Sequence, residues 1–274
     1  MSAWRDIMSI IMPLLKKALL SLIRIFVAVY ILFGALLFVY QRHYIYFPSK
    51  QDFNACANLP SDVEKITYEG TRMYVHKATD SWVVIYHGNA GSACDRSYYL
   101  DYFDARKYSY IIVEYAGFSN DSESPSQDAW MKNVRDADDY LKAQKAAKKI
   151  VIGESLGTAL ASYHSYIDRP DRLILISPFD SLEHVSQSMY WFYPIKLMLH
   201  DKYPSATWLA DADHVLIIHG SDDDIVPIRF GRSLFDAISG ADKTFVTVPG
   251  AGHNDIHDFN LTKESINRFF RQYF

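Results

Sequence analysis

The stretch IVIGESLGTALASY, residues 150–163, sets a β-branched apolar run directly against a run of small residues with helical character. The first part reads as a buried strand and the second as a helix, with Gly153-Glu154-Ser155-Leu156-Gly157 as the turn between them. That turn fits the pattern G-x-S-x-G, which by composition alone arises in about one chain of this length in ten. Its position between strand and helix is the informative part. A serine on such a tight turn is held in a strained backbone with its hydroxyl clear of the chain, so Ser155 is the candidate nucleophile.

On either side, short β-branched runs alternate with helical stretches. WVVIYH (82–87), YIIVEY (110–115), LILIS (173–177), VLIIHG (215–220) and TFVTVPG (244–250) read as strands, and 95–107, 127–146, 156–168, 228–238 and 260–273 as helices. KITYEG and RMYVHKA, around 65–78, read as a hairpin turning at Gly70. Apolar strands without polar alternation, separated by helices, predict an α/β fold with a mostly parallel sheet covered on both faces. One connection is longer than a crossover needs, and its residues, about 179–213, are predicted to form a cap-like insertion. It carries MYWFYPIKLML (189–199), in which Trp191 and Phe192 are candidate pocket residues. The preferred reading of this stripe is a helix packed over the sheet.

A serine hydroxyl needs a base, and the base a carboxylate to orient it. Both follow Ser155 at predicted strand ends: VLIIHGSDDDIVP ends in three aspartates, and TFVTVPGAGHND carries His253. Here the chain resembles the α/β-hydrolase superfamily over about residues 65–274. His219, Gly220, Asp223, Val226 and Pro227 match the family's H-G-x-x-D-x-x-V-P pattern, which selects Asp223 over Asp222 and Asp224 as the acid. Gly250 to His253 match its G-x-G-H pattern, which makes His253 the base. His87-Gly88-Asn89-Ala90-Gly91 resembles the family's oxyanion segment. The resemblance thus implies two backbone N–H donors for the oxyanion, from Asn89 and from Leu156. His87 is implied to be structural. Glu114 to Asn120 depart from the family's D-Y-R-G-Y-G-x-S loop, which bears on substrate preference rather than on catalysis.

The N-terminal stretch reads differently. Leu19 to Tyr40 is predominantly apolar with one charge, Arg24, and 22 helical residues cover about 33 Å, enough for a hydrocarbon core of about 30 Å. The predicted organisation is a cytoplasmic segment over 1–18, a transmembrane anchor over 19–40 and a hydrolase domain over 41–274. Arg5, Lys16, Lys17 and Arg24 precede or open the span, against Arg42 and Lys50 after it, so the domain is placed on the extracytoplasmic side. YQRHYIYFPSK (40–50) also resembles a single-pass anchored subgroup of the family, with its Q-R-x-x-x-Y-F-P stretch.

The composition is that of a globular enzyme with one membrane span: 49% hydrophobic, 22% charged, with a net charge of −4 that gives no case for nucleic acid as partner. His253 and His257 stand four apart, but Gly250 and Gly252 indicate a loop, so no metal site is assigned, and no cofactor is called for. Cys56 and Cys94 are read as two free thiols in preference to the bridge that an oxidising compartment would allow. The expected function is that of a membrane-anchored serine hydrolase cleaving an ester or thioester of a small or lipid-like acyl substrate. The alternatives are a serine peptidase on the same fold and a catalytically silent scaffold binding a membrane partner.

Overall fold

Val83 to Tyr86, Ile111 to Val113, Ile150 to Ile152, Leu173 to Ile176 and Val215 to Ile218 are all buried, as strands lacking a polar face require. The computed structural model describes residues 2–104 and 107–272, without the side chains of Ser2, Ala3, Arg5 and Asp6. Among these residues, one sheet holds eight strands: β1 (Glu64–Tyr68), β2 (Thr71–His76), β3 (Ser81–Tyr86), β4 (Ser109–Glu114), β5 (Lys148–Glu154), β6 (Arg172–Ile176), β7 (Val215–Gly220) and β8 (Lys243–Val248). Their order is β1-β2-β4-β3-β5-β6-β7-β8. β1 pairs with β2 and β2 with β4 antiparallel, and the remaining neighbours are parallel. The predicted hairpin is present, turning through Glu69 (φ 49°) and Gly70 (φ 93°), the two left-handed residues a tight two-residue loop requires.

The topology places the site. The chain leaves β3 for β4 on one side, then returns past β3 to β5 on the other. At such a reversal the connections diverge above and below the sheet, leaving a crevice beyond the carboxyl ends of β3 and β5. The two segments at those ends are the His87–Gly91 loop and the Ser155 turn.

The α-helices are α1 (Ser2–Ile45), α2 (Gln127–Ala143), α3 (Gly157–Ile167), α4 (Leu182–Met189), α5 (Ile195–Met198), α6 (Ser205–Trp208), α7 (Ile228–Ala237) and α8 (Asn260–Arg271). Ser126 caps α2 by accepting the Ala129 N–H at 3.1 Å, and Trp130 on its first turn is fully buried. The expected helix over 95–107 is instead a 3₁₀ stretch over Ala93–Tyr102, kinked at Arg96. Asp95 Oδ2 accepts both the N–H and the hydroxyl of Ser92, which tightens its first turn. Ala105 and Arg106 of that expected helix, and Tyr273 of the expected helix over 260–273, lie outside the described residues.

Residues 179–213 fold as the three short helices α4 to α6. The stripe 189–199 is therefore not one helix packed over the sheet: α4 ends at Met189, and Pro194, which has no N–H to donate, restarts the chain as α5. Tyr193, Ile195 and Leu199 are its buried residues. Gln127 Oε1 accepts the N–H groups of Lys202 and Tyr203 at 2.7 and 2.8 Å, and Asp201 Oδ1 accepts that of Gln127, fastening the insertion to the start of α2.

The chain divides into a helical unit ending at Ile45 and a second unit beginning at Tyr46. Helix α1 is continuous through both expected boundaries of the anchor, at 18/19 and 40/41. Ile7–Ile45 contains an 18-residue stretch of mean hydropathy 2.6 and is the one described helix long and apolar enough to cross a membrane.

The cysteines correct the expectation of two free thiols, since Cys56 and Cys94 form a disulfide with a Cα–Cα distance of 5.6 Å. Phe53 brings them together. Its ring packs 4.6 Å from that of Tyr74, whose hydroxyl donates to the Phe53 carbonyl, so the segment carrying Cys56 is held on β2. The bridge spans 38 residues, and its removal costs about 2–4 kcal/mol through the freed unfolded chain. Replacing both cysteines by serine should lower the thermal midpoint accordingly. A wild-type protein whose gel mobility and melting are indifferent to reductant would contradict the bridge.

Candidate active site

The sharpness of the turn after β5 comes from Ser155 itself, which has φ 50°, a strained value for a residue with a side chain. Its N–H donates to Ile176 O at 2.9 Å, and its carbonyl accepts from Thr158 N and Oγ1. Both glycines of the motif serve close packing. A Cβ on Gly153 would lie 2.7 Å from Ala161 Cβ and Thr158 Cα, and one on Gly157 would lie 2.2 Å from the Tyr86 carbonyl oxygen. Gly157 thus lets α3 begin directly against the end of β3.

The structure brings together the three residues singled out as nucleophile, base and acid, although they lie 98 and 30 positions apart. His253 Nε2 is 2.8 Å from Ser155 Oγ, and His253 Nδ1 is 2.8 Å from Asp223 Oδ2. Asp223 is buried, whereas Asp222 and Asp224 are exposed. Its Oδ1 accepts the N–H groups of Ile225 and Val226 at 3.1 and 2.7 Å, leaving Oδ2 to face His253. Burial alone would raise the Asp223 pKa. The neighbouring His219 and His253 and the Val226 N–H outweigh it and hold the carboxyl well below the usual range. The arrangement can carry a proton from the serine oxygen to an imidazole whose orientation a fixed anion sets.

Leu156, expected to donate to an oxyanion, is buried at the start of α3, and among the described residues its N–H has no acceptor. Asn89 lies on the loop beyond β3, where its side-chain Oδ1 accepts from Phe47 N at 3.1 Å. His87 has other partners. Its ring is fully buried, stacks 4.1 Å from Tyr115, bonds to Gly88 O through Nδ1 and faces Glu114 through Nε2. Trp191 and Phe192, the candidate pocket residues, are 77% and 44% exposed on the insertion.

Sequence reasoning missed a second polar cluster beside Ser155. Glu154 Oε2 accepts the hydroxyls of Tyr98, at 2.8 Å, and Tyr99, and lies 3.4 Å from His257 Nε2, while His257 Nδ1 bonds to Tyr102. Glu154 occupies a variable place of the motif, and His257 stood out only as a metal candidate. The two histidines four apart thus serve separate partners. Burial pushes the Glu154 carboxyl up, but His257, then Arg96 and Tyr99, hold it below the usual carboxylate range.

Groups with lowered folded-state pKa values stabilise the fold above their unfolded values, and that contribution disappears as pH falls. Glu154 and Asp223 should therefore leave stability level from pH 7 to about 5 and steepen its loss below about 4. Denaturant unfolding against pH reads this directly, and Glu154→Gln should flatten part of the acid limb. An acid limb unchanged in that variant would contradict the assignment.

No family model matches the chain. Over 256 residues it is 32% identical to the uncharacterized protein Rv2307c of Mycobacterium tuberculosis, covering 87% of this chain and 91% of that one. It is 28% identical over 182 residues to the lysophosphatidylserine lipase ABHD12 of Xenopus tropicalis, covering 58% of this chain and 47% of the lipase. Among solved structures, Est1E from Butyrivibrio proteoclasticus superposes with a TM-score of 0.61 at 16% identity, over 77% of this chain and 98% of that one. The meta-cleavage product hydrolase of Pseudomonas fluorescens gives 0.59 at 16% identity, over 78% and 100%. With the strand order, the turn after β5 and these relatives in agreement, the chain belongs to the α/β-hydrolase superfamily.

Proposed function

We propose that this protein is a membrane-anchored serine hydrolase that cleaves carboxylic esters or thioesters through an acyl-enzyme. The observation that carries the reading is the hydrogen-bonded line from Ser155 Oγ through His253 to Asp223, mounted on a turn strained at the serine. Ser155 attacks the acyl carbonyl carbon while His253 Nε2 takes its proton. The backbone N–H groups of Leu156 and Asn89 hold the tetrahedral oxygen. His253 returns the proton to the departing alcohol or thiol, and water then repeats the sequence to release the acid. Asp223 stays ionised throughout, which its lowered pKa supports, and keeps the imidazole in the tautomer the first step needs.

The lysophosphatidylserine lipase among the relatives supports a lipid-like acyl substrate. Trp191 and Phe192 are accessible candidates for contact with a long acyl chain. Helix α1 is assigned as the anchor, with its cationic N-terminal end in the cytoplasm and the residues from Tyr46 onward outside it. The Cys56–Cys94 bridge supports that side, since structural disulfides persist in oxidising compartments.

A fluorophosphonate probe should label the wild type and leave Ser155→Ala unlabelled. Asp223→Asn should fold normally but lose on the order of 10⁴-fold in turnover on ester substrates. Labelling of Ser155→Ala equal to wild type would overturn the assignment of the nucleophile. For the anchor, a C-terminal reporter that folds only outside the cytoplasm should be active, and a cytoplasm-only reporter silent. The opposite pattern would reverse the topology.

A further inference from the structure

Away from the Ser155 site, three acceptor groups converge on one buried point. Asp138 lies on α2, His164 on the last turns of α3, and Asp168 caps the end of α3. One ligand atom from each lies within 4.8 Å of the other two. His164 is fully buried and the Asp138 side chain is 3% exposed. His164 Nε2 and Asp138 Oδ1 are 3.8 Å apart, too far for a hydrogen bond, and neither has a hydrogen-bond partner. The other atoms of the cluster are engaged. Lys142 Nζ donates to Asp138 Oδ2 at 2.5 Å, Lys149 Nζ donates to Asp168 Oδ2, and His164 Nδ1 is 2.7 Å from the Tyr86 hydroxyl.

A buried imidazole nitrogen and a buried carboxylate oxygen left without partners are costly, because each has lost its water. When His164 carries its proton on Nδ1 and donates it to Tyr86, Nε2 presents a lone pair to the two carboxylates. With both carboxylates ionised, as a bound cation requires, three lone pairs then face one another with no donor among them. A divalent ion satisfies all three at once, and the second nitrogen is already held by a hydrogen bond, as the ring of a metal-bound histidine usually is. The two lysines offset the charge of the carboxylates on their outer sides and leave the inner face open.

We propose that Asp138, His164 and Asp168 form a structural site for a divalent transition ion, with zinc the ion whose preferred nitrogen and oxygen donors match the set. At metal–ligand distances of about 2.0–2.2 Å, tetrahedral donors stand about 3.4 Å apart, so only a modest contraction closes the site. Water completes the coordination. The ion fastens α2 to α3 and, through Tyr86, to the end of β3, immediately before the His87–Gly91 loop. The site serves stability and takes no part in the proposed hydrolysis.

The test uses the full chain, purified in detergent without chelator. Elemental analysis should find about one zinc per chain. Stripping it with a chelator should lower the thermal midpoint by about 5 °C, and adding zinc chloride alone should restore it. His164→Gln and Asp168→Asn should both lose the ion. The Asp168 side chain is 27% exposed, so its variant is expected to fold even where the buried His164 variant does not. Asp168→Asn should also keep wild-type labelling by the fluorophosphonate probe, which separates this site from the proposed chemistry. A zinc-free wild type whose melting does not respond to zinc overturns the proposal, as does wild-type zinc content in Asp168→Asn.

Discussion

The end of β3 and the start of α3 meet at a distance that only glycine permits. Gly157 lies so near the carbonyls of Tyr86 and His87 that any side chain there would collide with the backbone, at 2.2 and 2.4 Å. Much of the site depends on that contact. It sets Ser155 in its left-handed conformation at the mouth of the crevice, with the Leu156 N–H unclaimed, and brings the His87–Gly91 loop alongside. The strain at Ser155 is sustained because its N–H is bound to Ile176 O and its carbonyl to Thr158, so the flanking strand and helix over-determine the turn.

Around this turn the polar groups form two separate sets. Asp223 is fixed by two backbone N–H groups and turned toward His253, while Glu154 is fixed by tyrosine hydroxyls and His257. Both are ionised carboxylates at low exposure, each with hydrogen-bond partners and a histidine, the condition under which a buried charge is tolerated. The difference lies in what the histidine faces next. His253 faces Ser155 Oγ, and His257 faces Tyr102. The same pairing of acid and imidazole therefore ends on a serine hydroxyl in one place and on a tyrosine hydroxyl in the other.

The disulfide and the insertion belong to the same account of how segments are held over the sheet. Cys94 lies in the first turn of the 3₁₀ stretch that supplies Tyr98, Tyr99 and Tyr102, and its bond to Cys56 ties that stretch to the segment anchored by Phe53. The insertion is fastened at Gln127 and Asp201 and presents Met189, Trp191, Phe192 and Leu197 to the outside. Attachment at its base leaves these apolar side chains exposed beyond it.

Periodicity and local motif were enough to read the parallel sheet, the hairpin at Gly70 and the apolar N-terminal helix, and the family resemblance, which selects Asp223 among three aspartates, completed the three residues of the Ser155 line. Each of these is a local property: continuous apolar runs demand burial on both faces, and G-x-S-x-G, the aspartate and the histidine each follow a strand. The rest was decided in three dimensions. The pairing of Cys56 with Cys94 depends on Phe53 docking against Tyr74, contacts 38 and 21 positions apart that no local pattern encodes. The role of Glu154 appears only when tyrosines from another segment surround it. The break in the 189–199 stripe follows from Pro194, yet which of its residues are buried was set by tertiary packing. Sequence spacing specifies which elements form and which side chains share a face. The partners across those faces are chosen by the fold, because a hydrogen bond or disulfide is formed by proximity in space, whatever the separation along the chain.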